Sequence, residues 1–79
     1  MPQLPNISGK ELIRFLQSLG FVEVRINGSH HRLHHPDGRV TTVPVHKNED
    51  IPKGLLRKII REDLEIELVE FLNEYNEFN

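Results

Sequence analysis

Phe21-Val22-Glu23-Val24-Arg25-Ile26-Asn27-Gly28-Ser29-His30-His31-Arg32-Leu33-His34-His35 is the stretch on which the fold turns. Its first half alternates with period two, placing Val22, Val24 and Ile26 on one face and Glu23 and Arg25 on the other, as a strand does. Asn27-Gly28 is the strongest short hairpin signal, because both central residues of a type I′ turn need positive φ. A second strand is therefore expected from Ser29 to His35, ending at the turn composition Pro36-Asp37-Gly38.

Working outward from the hairpin, Val40-Thr41-Thr42-Val43-Pro44-Val45 reads as a third strand. Pro44 cannot donate to a ladder, so this strand is an edge or ends there. Upstream, Ser8-Gly9-Lys10-Glu11 is a capping box, with Ile7 and Leu12 at the hydrophobic-staple positions. Leu12, Phe15, Leu16 and Leu19 then recur at helical spacing and Gly20 supplies a C-terminal cap, which predicts a helix from about residue 9 to 19. Downstream, Asn48 or Asp50 can cap a second helix with Pro52 in its first turn and an apolar stripe of Leu55, Leu56, Ile59 and Ile60. Leu68, Phe71, Leu72 and Tyr75 predict a last helix. The order is α-β-β-β-α plus a C-terminal helix, an α+β fold with one antiparallel three-stranded sheet and helices on one face. Residues 1–79 read as a single domain, with a core of about 8–61 and an acidic helical extension of about 62–79.

A chain of 79 residues can bury only a modest core, so a deep substrate cavity is not expected. Chemistry on an open surface suits a macromolecular substrate better than a small metabolite. Cysteine is absent, which excludes disulfides, thiolate zinc sites and thiol nucleophiles, and makes the reducing cytoplasm the default location. No stretch approaches the roughly 20 apolar residues that cross a bilayer, and the opening residues carry no apolar signal core. The net charge of -2 conceals a segregation. Residues 1–61 hold all ten Lys and Arg against five acids, a net of +5, whereas residues 62–79 hold seven acids and no base, a net of -7.

Four of the five histidines fall in the second strand, and alternation divides them. Leu33 must face the helices, which takes His31 and His35 with it, while His30, Arg32 and His34 point to the open side. Metal binding fits this poorly, since His30 and His34 lie roughly 13 Å apart at ~3.3 Å per residue and zinc needs its ligands converging on one point. The plainer alternative makes His31 and His35 partly buried strand residues and His34 a solvated one. His30 differs, because it follows the Gly28-Ser29 turn with Arg32 on the same face. An exposed imidazole and a guanidinium suit phosphate chemistry, one moving a proton and the other holding charge. Arg32, Lys47, Lys53, Arg57, Lys58 and Arg61 are the candidates for gripping a phosphate backbone.

Gly28-Ser29-His30-His31, His35-Pro36-Asp37-Gly38-Arg39, Val43-Pro44-Val45-His46 and Ile51-Pro52-Lys53-Gly54-Leu55 through Arg61 together resemble the HicA toxin family, also described as YcfA-like. The resemblance covers about residues 9–61. It implies a fold like the double-stranded RNA-binding domain and the activity of an mRNA interferase, a ribonuclease that halts translation. It also implies neutralisation by a HicB-type antitoxin, and it places the catalytic histidine at His30, with His31 a second candidate one residue later. The departures are Gly54-Leu55-Leu56, where Gly-Thr-Leu is common, and the acidic extension.

The expected chemistry needs no metal and no cofactor. His30 takes the proton of a ribose 2′-hydroxyl, an attack that only RNA permits; Arg32, Lys47 and His46 are open alternatives for the group that serves the leaving oxygen. The competing expectation from another class is a non-catalytic RNA-binding module that reads A-form shape. For the acidic extension, simple packing of its apolar stripe stands against a charge shield over the basic helix.

Overall fold

The computed structural model describes residues 3–79. Helix α1 spans Gly9–Ser18 and starts on the expected capping box: the Ser8 hydroxyl accepts from the Glu11 amide at 3.2 Å, and the Glu11 carboxylate accepts from the Ser8 amide at 3.0 Å. Ile7 and Leu12, the staple pair, are fully buried. Gly20, at φ 102°, lets the chain leave the helix, with the Phe21 amide bonded to the Leu16 carbonyl.

Three antiparallel strands follow in the spatial order β1-β2-β3: β1 Val22–Asn27, β2 His30–His34 and β3 Val40–Pro44. β3 stops at Pro44, on an edge of the sheet, as a residue without an amide hydrogen requires. The first turn differs from expectation. Asn27 pairs with His30, so the two central residues are Gly28 and Ser29, and of these only Gly28 has positive φ, at 64°. That is the pattern of a type II′ turn, with glycine in the first central position. Asn27 closes β1 instead of entering the turn.

β1 also breaks its own alternation. A bulge lies between Glu23 and Arg25, so Glu23 pairs with Leu33 while Arg25 pairs with Arg32. Glu23 therefore sits on the helix side of the sheet, and Ile26, opposite His31, does too. Strict period two put Glu23 on the same face as Arg25 and away from Ile26; the extra residue reverses both relations. Val22, Val24 and Ile26 are all more than half exposed.

Helix α2 spans Lys53–Lys58 and continues as a π-helical turn, Ile59–Asp63. Neither Asn48 nor Asp50 caps it: Pro52 holds the cap position and no side chain bonds there, while Asp50 bridges to Ser8 across the chain. Glu65, at φ 57°, turns the chain before helix α3, Leu68–Phe78. One apolar core joins the helices with β2 and β3, with Phe15, Leu16, Leu33, Val43, Leu56 and Phe71 at its centre. The C-terminal helix is tied in by aromatic packing. Phe15 meets Phe71 and Tyr75 edge-on at ring-centre distances of 5.4 and 5.3 Å.

Candidate functional site

Gly28 and Ser29 form the turn that delivers His30 as the first residue of β2. From there the pairing builds the open face of the sheet in rows. Asn27, His30 and Pro44 form one; Arg25, Arg32 and Thr42 the next; Val22, His34 and Val40 the third. His30, Arg32 and His34 are exposed on this face, whereas Leu33 is fully buried and His31 and His35 are half-buried on the other side. The parity argument holds along β2.

The histidines are held quite differently. His31 Nδ1 lies 2.7 Å from a Glu23 carboxylate oxygen, a contact the bulge makes possible by turning Glu23 inward. His35 donates from Nε2 to the Leu19 carbonyl at 3.1 Å, accepts at Nδ1 from the Asp37 amide at 3.1 Å, and packs on the Phe21 ring. The first contact ties the two strands of the hairpin together, and the second ties the hairpin to the end of α1. His34 accepts from Arg32 Nε at 3.3 Å. Arg32 also reaches Thr42 Oγ1 at 3.4 Å, so its guanidinium leans along the sheet, away from His30. Among the described residues no three His, Asp or Glu side chains gather as metal ligands do.

Sequence reasoning put six cations near the chemistry, and the structure separates them. Arg32 and Lys58 line one shallow groove of about 300 Å³ between β3 and α2, with Thr42, Leu55 and Asp63. Asp63 is fixed there by the buried Thr41, whose hydroxyl donates to it at 2.9 Å. This groove was missed in the sequence, because its walls come from strand residues on one side and from α2 and the π-helical turn on the other, 13 or more positions apart. Arg57 and Arg61 are exposed and unpaired among the described residues. Lys53 is engaged, its Nζ donating to the Leu4 carbonyl at 2.7 Å. Lys47 is exposed in the loop after β3.

That loop meets the hairpin turn. The ladder between β2 and β3 runs one bond past Pro44, with the Val45 amide donating to the Ser29 carbonyl at 2.7 Å. Gly9 of α1 packs beneath this point so closely that a Cβ there would collide with the Pro44 carbonyl oxygen. The exposed His46 is the next residue. Beyond the turn to β3, Asp37 takes hydrogen bonds from the Arg39 amide at 3.0 Å and from Arg39 Nε at 2.8 Å. The amide bond first, then the guanidinium, holds its carboxyl below the ordinary value.

An α-β-β-β-α body with imidazole and guanidinium groups along one open sheet face is the class of protein these elements define. A family model for the HicA toxin of bacterial toxin–antitoxin systems matches residues 9–64, so the chain belongs to the HicA toxin family. Membership implies an antitoxin partner. No curated protein matches the chain closely enough to count as a relative. Helix α3 lies outside the matched residues.

Proposed function

We propose that this toxin is a metal-independent endoribonuclease that cleaves mRNA and so stops translation, with His30 as general base. The observation that carries the reading is the position of His30 in a chain of this family. It stands exposed at the exit of the Gly28-Ser29 turn, on the open face that also bears Arg25 and Arg32. His31, the second candidate, faces the helix side and is engaged by Glu23, which favours His30 for a substrate approaching from the open face. Arg57, Lys58 and Arg61 supply the backbone grip, with Lys47 beside the turn; Lys53, committed to the Leu4 carbonyl, contributes least.

The antitoxin is of the HicB type, and both partners act in the cytoplasm, where the mRNA is. An exposed apolar surface supports a protein partner. Val22 and Val40 flank His34 on the open face, and Val24 and Ile26 are also exposed on the edge strand β1, Ile26 on the helix side. Solvated apolar patches rimmed by charge mark interaction surfaces, and this one shares the open face with the proposed catalytic row, with the Arg25-Arg32-Thr42 row between them.

A general base contributes about 10²- to 10⁴-fold. His30→Ala is therefore expected to abolish growth arrest and RNA cleavage in EDTA while keeping the wild-type melting curve, and His31→Ala to retain cleavage. A folded His30→Ala chain that cleaves RNA at the wild-type rate overturns the assignment. A wild-type chain that retards RNA on a gel without generating new ends establishes the non-catalytic binding module instead.

A further inference from the structure

Transfer of a phosphoryl group from a 5′-oxygen to a 2′-oxygen needs two proton movements, and His30 accounts for one. Resting on the ribonuclease reading above, we infer that His46 is the general acid that protonates the departing 5′-oxygen. Three side chains were open for that role from the sequence: Arg32, Lys47 and His46. Arg32 donates to His34 and Thr42 and leans away from His30. As residue types, moreover, a guanidinium and a lysine ammonium are far weaker acids than an imidazolium. Efficient proton transfer calls for a group that titrates near the working pH, which is the property of imidazole.

The backbone supplies the geometry. Pro44 lies directly across from His30, and the Val45–Ser29 bond carries the antiparallel pairing one residue further. His46 is thus the diagonal cross-strand neighbour of His30, two residues beyond its partner. Such neighbours stand about 7–8 Å apart at the backbone. Val45 packs against the core between them, and strand alternation returns His46 to the side of Pro44 and His30. Two imidazoles at that separation can sit on opposite sides of one phosphate. Both are exposed and neither has a hydrogen-bond partner among the described side chains. The close seating of Gly9 under Pro44 fixes the strand end that sets this spacing.

The step balances without a further reactant. Neutral His30 takes the 2′-hydroxyl proton as the 2′-oxygen bonds to phosphorus. The bond from phosphorus to the 5′-oxygen breaks, and that oxygen takes its proton from the His46 imidazolium. The products are a 2′,3′-cyclic phosphate and a 5′-hydroxyl, and the two imidazoles end with their protonation states exchanged.

The diagnostic is the leaving group. Once the wild-type cleavage position in an RNA oligonucleotide is mapped, the same oligonucleotide is made with sulfur replacing the bridging 5′-oxygen there, since a thiolate departs without a proton. His46→Ala and His46→Gln are expected to cleave the oxygen substrate about 10²- to 10⁴-fold more slowly than wild type and the sulfur substrate at close to the wild-type rate. His30→Ala is expected to be slow on both. Wild-type rates for both His46 variants on ordinary RNA, or an equal defect on the two substrates in chains that melt normally, overturn the role of His46 while leaving His30 and the ribonuclease reading intact. A wild-type chain that cleaves neither substrate overturns both.

Discussion

His30 and His31 are chemically identical neighbours placed on opposite faces of the sheet by one peptide unit of strand geometry. His30 faces the open side, whereas His31 faces the helices and meets Glu23 at 2.7 Å. That division was legible in the sequence, because Leu33 is the sole large apolar residue of β2 and fixes the parity of all its neighbours. The partner of His31 was not legible. Glu23 reaches it only because of the bulge in β1, and nothing in Val22-Glu23-Val24-Arg25 announces an extra residue. Asp37 gives this scale its pH dependence. Its carboxyl is held below the ordinary value of 3.8, first by the Arg39 amide and then by the Arg39 side chain. A depressed carboxyl contributes stability that is complete above its unfolded value and is lost as pH falls through the folded one. The stability gap between the wild-type chain and Asp37→Asn is therefore expected to be constant at neutral and mildly acidic pH and to narrow below the ordinary value of 3.8. Urea midpoints of the two chains measured across that range test this, and a gap independent of pH down to the acid limit refutes it.

Among the elements, α1 and β3 were the most legible, since a capping box, a staple and a proline each act through local chemistry. The hairpin was legible in kind but not in register: Asn27-Gly28 signalled a turn, yet pairing of Asn27 with His30 moved its centre to Gly28-Ser29. α2 started without the predicted cap because Asp50 is drawn to Ser8, a long-range contact that no local pattern encodes. α3 is the element that most changes the reading of the chain. Its apolar stripe packs as expected, with Phe71 fully buried and Tyr75 nearly so, both edge-on to Phe15 of α1. An acidic appendage outside the family match is thereby part of the core. Truncating a buried phenylalanine costs about 3–5 kcal/mol, set against a total of about 5–15 kcal/mol for a folded domain. Phe71→Ala is accordingly expected to lower the urea midpoint steeply and to expose Phe15, whereas Glu77→Gln, on the exposed side of the same helix, leaves the midpoint unchanged. Equal midpoints for wild type and Phe71→Ala would show α3 to be dispensable.

For the whole molecule the question is how a chain of net charge -2 would bind the polyanion proposed as its substrate. Segregation answers part of it: all ten cations precede residue 62, five of them in the sheet and α2, and α3 carries acids without a base. The fold then keeps the two apart. Glu70 and Glu74 border a hollow with Leu19, Phe21 and Arg39, on the α1 side of the body, and among the described residues no acid of α3 pairs with a lysine or arginine. Arg57 and Lys58 remain exposed, Lys58 beside Arg32 at the groove under β3. Without ion pairs to the basic helix, the acids of α3 act on RNA as a diffuse field, which salt suppresses over about 8–10 Å. Phosphate contacts release counterions, so the logarithm of RNA affinity should fall linearly with the logarithm of salt concentration, by about 0.7 in slope for each single-strand phosphate neutralised. Arg57→Ala and Lys58→Ala are each expected to weaken RNA binding by a catalytically inactive His30→Ala chain and to flatten that slope by about one contact. Glu74→Gln in the same background should leave the slope unchanged and raise affinity only slightly, at low salt. Filter binding across a salt series measures all three. A slope that responds to Glu74 as strongly as to Lys58 would mean that the acidic helix does cover the RNA-binding surface, against the packing seen here.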